Sequence, residues 1–117
     1  MVFVMHEMAL TQSILNIALT EAARHGAIRV YEIRIIAGVL SGFLPELIQE
    51  YFNIISADTV AEKAFLSIEK SPVTIMCLAC GAKCLSERFI FSCPTCSSTN
   101  IHLLGGREFY VDSIEVE

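Results

Sequence analysis

Two Cys-x-x-Cys pairs constrain this chain more than any other feature. Cys77-Leu-Ala-Cys80 and Cys93-Pro-Thr-Cys96 are separated by the twelve residues 81–92, close to the spacing of tetrathiolate zinc ribbons. Each pair presents two thiolates to one ion, and two such turns close a tetrahedral site. Gly81 follows the first pair, where a positive φ helps the turn, and Pro94 stiffens the second. A module of roughly 30 residues buries too little apolar surface to fold alone, whereas zinc contributes on the order of 10–16 kcal/mol at such sites. Four filled positions leave none for a reactive water, so a structural zinc is expected. The same residues leave three alternatives: iron on the four thiolates, thioredoxin-like redox chemistry, which the doubled motif and missing βα context disfavour, and plain core cysteines. The fifth cysteine, Cys84, reads as a small buried hydrophobe, with an exchangeable thiol as the alternative. Lys83 and Arg88 are the only cations between the pairs. They offset part of the charge of a zinc tetrathiolate and are too few for a phosphate-binding stripe.

The rest of the composition narrows the class. Of 117 residues, 54% are apolar and 18% charged, enough for a real core and unlike a disordered tail. A net charge of −5 lacks the balance of a nucleic-acid binder. The opening MVFVMHEMALTQSILNIAL is apolar, but it carries no positive n-region and Glu7 interrupts it, so it does not read as an export signal. No run reaches 18 apolar residues, so no membrane span is expected. An odd cysteine count argues against a secreted disulfide scaffold. A soluble cytoplasmic protein is the expectation.

Residues 8–24 suit a helix, with Leu10, Ile14, Ile17 and Ala18 on one flank, Leu15, Leu19 and Ala22 widening it, and Gly26 placed to stop it. Ile28 to Ile36 alternates as a strand, and Gly38, Ser41 and Gly42 form a breaker. A second helix begins near Pro45, carries Leu47, Ile48, Tyr51, Phe52 and Ile55, and ends near Asp58. Residues 64–70 and 73–76 read as extended, and Glu108 to Val116 as a last strand that returns to the first sheet. The order predicts an α+β fold: a small domain with two helices packed on a three-stranded sheet, plus an inserted tetracysteine zinc ribbon. Residues 1–75 and 107–117 then form the α+β domain, and 76–106 the zinc-ribbon domain.

His6 and Glu7, read alone, mean little. One is an exposed or capping histidine, the other a first-turn acid favourable to the helix dipole. In context, Met5-His6-Glu7-Met8-Ala9-Leu10 followed by Gln12-Ser13 resembles the opening of the hydrogenase nickel-incorporation proteins, the HypA/HybF family of nickel metallochaperones. The resemblance continues through Gly38-Val-Leu-Ser-Gly-Phe-Leu-Pro-Glu46, Thr59-Val-Ala-Glu62, the cysteine pairs and the ending Ser113-Ile-Glu-Val-Glu117. It covers essentially the whole chain from Met5 onward.

The resemblance implies a nickel carrier that delivers Ni2+ to the [NiFe]-hydrogenase large-subunit precursor, working with a nickel-associated maturation GTPase. Urease maturation proteins are further partners of some relatives. It places the nickel site at Met5, His6 and Glu7 and the structural zinc (Zn2+) at Cys77, Cys80, Cys93 and Cys96. Nickel(II) accepts square-planar nitrogen ligation, and imidazole suits it. A histidine second from a free amine chelates through that amine, its own backbone nitrogen and its ring, with the Glu7 nitrogen as fourth donor. The Glu7 carboxylate is the alternative, as an axial or outer oxygen. Deprotonated amides make such binding acid-labile. Four residues, Met1-Val-Phe-Val4, precede the family's usual start. A chain beginning at Met1 ties the Met5 nitrogen into a peptide bond, and one beginning at Met5 leaves the chelate intact.

His25 beside Gly26 has a bland reading at a helix C-terminus, and His102 lies near a metal already satisfied by four cysteines. No nucleophile-and-base pair, phosphate-cradling glycine loop or open metal site suggests an enzyme. The competing class is a zinc-ribbon module for nucleic acid or protein, with Phe89 and Phe91 near Arg88 as its surface. Leu44, Leu47, Tyr51 and Phe52 read as core, with docking of the GTPase or a second copy as the alternative. A returning C-terminal strand permits a swapped homodimer.

Overall fold

The computed structural model describes residues 2–88 and 90–117, with side chains for 7–88 and 90–117. The element order is α1 (Val2–Arg24), β1 (Val30–Gly38), α2 (Pro45–Ile55), β2 (Phe65–Ser71), β3 (Val73–Cys77), β4 (Lys83–Ser86), β5 (Ile101–Leu104) and β6 (Phe109–Val116). The strands form two three-stranded sheets, ordered β2-β1-β6 and β4-β3-β5. The last strand returns beside the first, as its β-branched sequence suggested, and the cysteine segment is an excursion between strands of that sheet. Two compact units result, one of residues 1–35, 43–68 and 111–117, the other of 36–42 and 69–110. Among the described residues, no helix is long and apolar enough to cross a membrane.

In the first unit, α1 packs on α2. The buried stripe of α1 is Glu7, Thr11, Ile14, Leu15, Ala18 and Ala22. The sequence reading had Ile17 in this stripe, but its side chain is exposed. The stripe enters instead through two polar residues that apolar periodicity overlooks. Thr11 is accommodated because its hydroxyl donates to the Glu7 carbonyl one turn back, at 2.7 Å. The helix stops as expected at Gly26, φ +62°. Gly26 N–H donates to Ala23 O and Ala27 N–H to Ala22 O, the paired bonds of a Schellman ending. Ile48 and Phe52 are the buried residues of α2, and Val30, Ile33 and Ile35 are the fully buried residues of β1.

Helix α2 ends at Ile55 rather than near Asp58. Asp58 itself takes a left-handed φ of +66°, which an α-helix of L-residues does not accommodate. Thr59-Val-Ala-Glu62 then forms a compact turn. The Thr59 hydroxyl donates to Ser56 O at 2.7 Å and accepts from Ala61 N–H at 3.1 Å. Ala61 is fully buried there, and Val60 O receives Val30 N–H.

In the second unit, β3 is the central strand, with β4 and β5 antiparallel on either side; Ile75 faces Cys84 and Leu103, and Met76 faces Lys83 and His102. Residues 38–40 are stitched in by Gly38 N–H to Glu108 O, Val39 N–H to Ser71 O and Leu40 N–H to Gly106 O. A Cβ on Gly38 would overlap the Gly106 carbonyl. The breaker of the sequence reading is therefore a backbone-on-backbone contact.

Candidate metal centre

The four paired cysteines converge. Cys77 ends β3, Cys80 lies in the turn to β4, and Cys93 and Cys96 lie in the turn that precedes β5. Their four sulfurs all lie within 4.8 Å of one another, with Cys77 Sγ 3.5 Å from Cys96 Sγ and Cys80 Sγ 3.8 Å from Cys93 Sγ. A tetrahedron with bonds of about 2.3 Å has sulfur–sulfur edges of about 3.8 Å. These separations are too long for disulfides and fit one ion shared by both pairs. The donor set is thus that of a closed zinc site, and Cys77, Cys80, Cys93 and Cys96 would hold the zinc.

The two turns are one motif written twice. After the first pair, Gly81 N–H donates to Cys77 O at 3.0 Å and Cys77 N–H donates to Ala82 O at 2.9 Å. After the second, Ser97 N–H donates to Cys93 O at 2.8 Å and Cys93 N–H donates to Ser98 O at 2.8 Å. Both turns need a left-handed residue after the second cysteine, Gly81 at φ +77° and Ser97 at +65°. The sequence reading identified Gly81 and missed Ser97. Aligning the two pairs residue by residue would have shown it.

Peptide N–H groups also aim at the sulfur of the first cysteine of each pair. Cys80 N–H donates to Cys77 Sγ at 3.4 Å and Thr95 N–H to Cys93 Sγ at 3.3 Å. The N–H of Cys80, helped by that of Ala79, holds the Cys77 thiol below its ordinary value against the opposing effect of burial. The N–H of Cys96, helped by that of Thr95, brings Cys93 down to about 6. For Cys96, the N–H of Ser98 pulls downward, but hydrogen bonding with Cys77, burial and the other two thiols outweigh it and push Cys96 up to about 12. Cys80 is likewise raised, the Ala82 N–H being outweighed by Cys77, burial and Cys93. The metal-free cluster therefore favours a first thiolate and resists the last. A divalent ion removes that conflict by taking the place of the protons.

Neither remaining cysteine nor histidine joins this group among the described residues. Cys84 is half-buried on β4, opposite Ile75, more open than the buried hydrophobe expected. His102 is exposed on β5 opposite Met76. His25 caps α1, with Nε2 3.7 Å from Glu21 Oε2. Lys83 and Arg88 are exposed.

Of the residues assigned to nickel, Glu7 lies within the described side chains, whereas those of Met5 and His6 lie outside them, as does Phe89 of the competing reading. Glu7 is 6% exposed, and its Oε2 accepts the Leu44 N–H at 3.3 Å.

Comparison with known proteins agrees with this architecture. Residues 5–116 match the family described as hydrogenase/urease nickel incorporation, metallochaperone, HypA. The hydrogenase maturation factor HypA of Moorella thermoacetica is 35% identical over 113 residues, covering 97% of this chain and 100% of that protein. That of Aquifex aeolicus is 35% identical, covering 97% and 98%. A solution structure of a HypA protein superposes with a TM-score of 0.68 at 22% identity, covering 97% of each chain. The solution structure of the nickel metallochaperone HypA from Helicobacter pylori gives 0.61 at 20% identity, covering 94% and 96%. The identities of these two are low enough that they speak for the fold alone, and the fold is the same. With a match from Met5 to Val116 and relatives aligned along nearly their whole length, the chain belongs to the HypA family of nickel-incorporation metallochaperones.

Proposed function

We propose that this protein carries Ni(II) at the segment Met5-His6-Glu7 and hands it to the [NiFe]-hydrogenase large-subunit precursor, together with a nickel-associated maturation GTPase. It acts in the cytoplasm as a carrier and performs no catalysis, and its zinc is structural. The nickel segment belongs to the first compact unit, 1–35, 43–68 and 111–117, and the zinc cysteines to the second, 36–42 and 69–110. The observation that carries this reading is the family match, whose first residues are Met5-His6-Glu7. The closed tetracysteine group supports the division of labour, since it offers no vacant ligand position for cargo.

The nickel donors are the His6 imidazole and backbone nitrogens at and beside it, in keeping with the preference of Ni(II) for nitrogen. Helix α1 begins at Val2, and an amide held in a helix is not free to bind a metal. Loading through the amides of His6 and Glu7 therefore unwinds the first turns of α1, and a loss of helical circular dichroism should accompany nickel binding.

Metal content and nickel titration of two forms, beginning at Met1 and at Met5, each with and without His6→Ala, test the proposal. One zinc per chain is expected in all four. His6-dependent nickel binding in the Met5 form alone identifies the terminal amine as a donor. His6-dependent binding in both forms makes that amine dispensable. Zinc without His6-dependent nickel in either form overturns the carrier reading.

A further inference from the structure

We infer that the outer face of the β4-β3-β5 sheet is a docking surface for an acidic amphipathic helix of a partner protein. This surface lies within the second unit and does not depend on the nickel site proposed above.

The sheet has two unlike faces. On β3, Val73, Ile75 and Cys77 are each 1% exposed, so Thr74 and Met76 between them point the other way, outward. The register assembles the rest of that outer face. Leu85 and Leu104 flank Thr74 in one row, and Lys83 and His102 flank Met76 in the next. An antiparallel sheet with one solvated face ordinarily carries polar residues there. Here Leu85 is 71% exposed and Leu104 40%. The pairing runs one residue past Cys77, since Leu78 N–H donates to Asn100 O, and Leu78, two positions beyond Met76, is 57% exposed. Contiguous, uncovered apolar side chains of this kind mark an interaction site, unlike single leucines scattered over a surface.

Geometry and charge select the occupant. The backbone of β3 is paired on both sides, so a chain lying over it meets side chains only, which suits a helix better than an added strand. From Thr74 to Leu78 is about 14 Å of extended chain, about two and a half helical turns, a length spanned by apolar residues at i, i+4 and i+8. None of the six paired outward positions is acidic, in a chain of 13 acidic and 8 basic residues. Lys83 and His102 stand instead on either side of Met76, both exposed. A second copy laid on this face would set these groups against their own kind, with no carboxylate to answer them. Nucleic acid calls for more cations than one lysine and one histidine and has no use for the leucines. An apolar helical stripe flanked by carboxylates answers both rows, its leucines covering Leu85 and Leu104 and its acids meeting Lys83 and the His102 ring N–H.

The test follows the backbone amides of the full zinc-loaded chain by NMR during titration with three synthetic helical peptides. One carries leucines at i, i+4 and i+8 flanked by glutamates, one the same stripe flanked by lysines, and one the glutamates with the leucines replaced by serine. The first alone should bind, moving the amides of Thr74, Met76, Leu85 and Leu104. Lys83→Glu should weaken it about fivefold, the scale of an exposed ion pair, and admit the lysine peptide. Leu85→Ser should weaken it about tenfold, the scale of one leucine left uncovered. Both side chains are exposed, and zinc content verifies that the variants fold. A glutamate peptide that leaves these amides unmoved at millimolar concentration overturns the inference, as does equal binding of the two leucine peptides or undiminished binding by Lys83→Glu. Movement of the same amides on diluting the chain alone makes the occupant a second copy. Movement with a single-stranded oligonucleotide and not with the peptide makes it a nucleic acid. Either result overturns the helix assignment.

Discussion

Gly81 and Ser97 hold equivalent places in two copies of one turn, each left-handed, each donating its N–H to the carbonyl of the first cysteine of its pair. An L-residue in this conformation costs about 1–2 kcal/mol, and glycine loses about 0.5–1 kcal/mol in chain entropy instead. Ser97→Gly should therefore stabilise the metal-bound ribbon by about 0.5 kcal/mol, and Gly81→Ala should destabilise it by about 1 kcal/mol. No heavy atom lies within 4 Å of a Cβ built on Gly81, so that cost is conformational. Chelator-challenge rates and thermal unfolding measure both; a destabilising Ser97→Gly contradicts the turn equivalence.

Removing zinc should unfold β3, β4 and β5 while leaving α1 and α2 folded. Among the described residues the second unit buries few large side chains, chiefly Val73 and Ile75 besides the cysteines, whereas Ile14, Ile33, Ile35, Ile48 and Phe52 form the core of the first. Cys93→Ser should act likewise, since it deletes a ligand from a closed site. NMR amide dispersion in residues 73–104 should collapse on chelation and that in residues 10–22 persist.

The cysteine titrations carry a sign. Cys93 sits at about 6 in the metal-free fold, below an ordinary thiol near 8.5. Its contribution to stability is present above the ordinary value and lost as pH falls through about 6. Cys96, raised to about 12, contributes below the ordinary value and loses that contribution as pH rises through about 12. Because the ribbon unfolds without zinc, thiolate absorbance at 240 nm in chelated protein should rise near the ordinary thiol value and not near pH 6, and Cys93→Ser should leave that midpoint unmoved. Zinc retention should fail on acidification because protons compete for the same sulfurs.

Gly38→Ala should cost more than about 2 kcal/mol, because its Cβ would overlap the Gly106 carbonyl and backbone cannot move aside as a flexible side chain does. Gly106→Ala meets Val73 Cβ at 2.9 Å from a φ of +80° and should be damaging as well. Urea unfolding measures both. Gly42→Ala is the control: it shares the positive φ, +77°, but has no neighbour within 4 Å, so its cost should stay near 1 kcal/mol.

The sequence by itself determined the elements whose signals are local. Gly26 ended α1, Pro45 opened α2, alternation marked β1 and β2, and β-branched and aromatic residues marked β6. Two cysteine pairs twelve residues apart were enough to specify a four-sulfur site, because sulfur chemistry and turn geometry are both properties of a few adjacent residues. Strands β4 and β5 escaped notice since four residues are too few to show a period, and only their pairing with β3 makes them strands. Tertiary structure alone decided that Ile17 faces solvent while Thr11 and Glu7 face inward. A helix shows which residues share a face, but the neighbour it packs against decides which face is buried. The bond from Glu7 to Leu44 across 37 residues and the Gly38–Gly106 contact are of the same kind. Each exists only when distant segments meet, and no local pattern encodes that meeting.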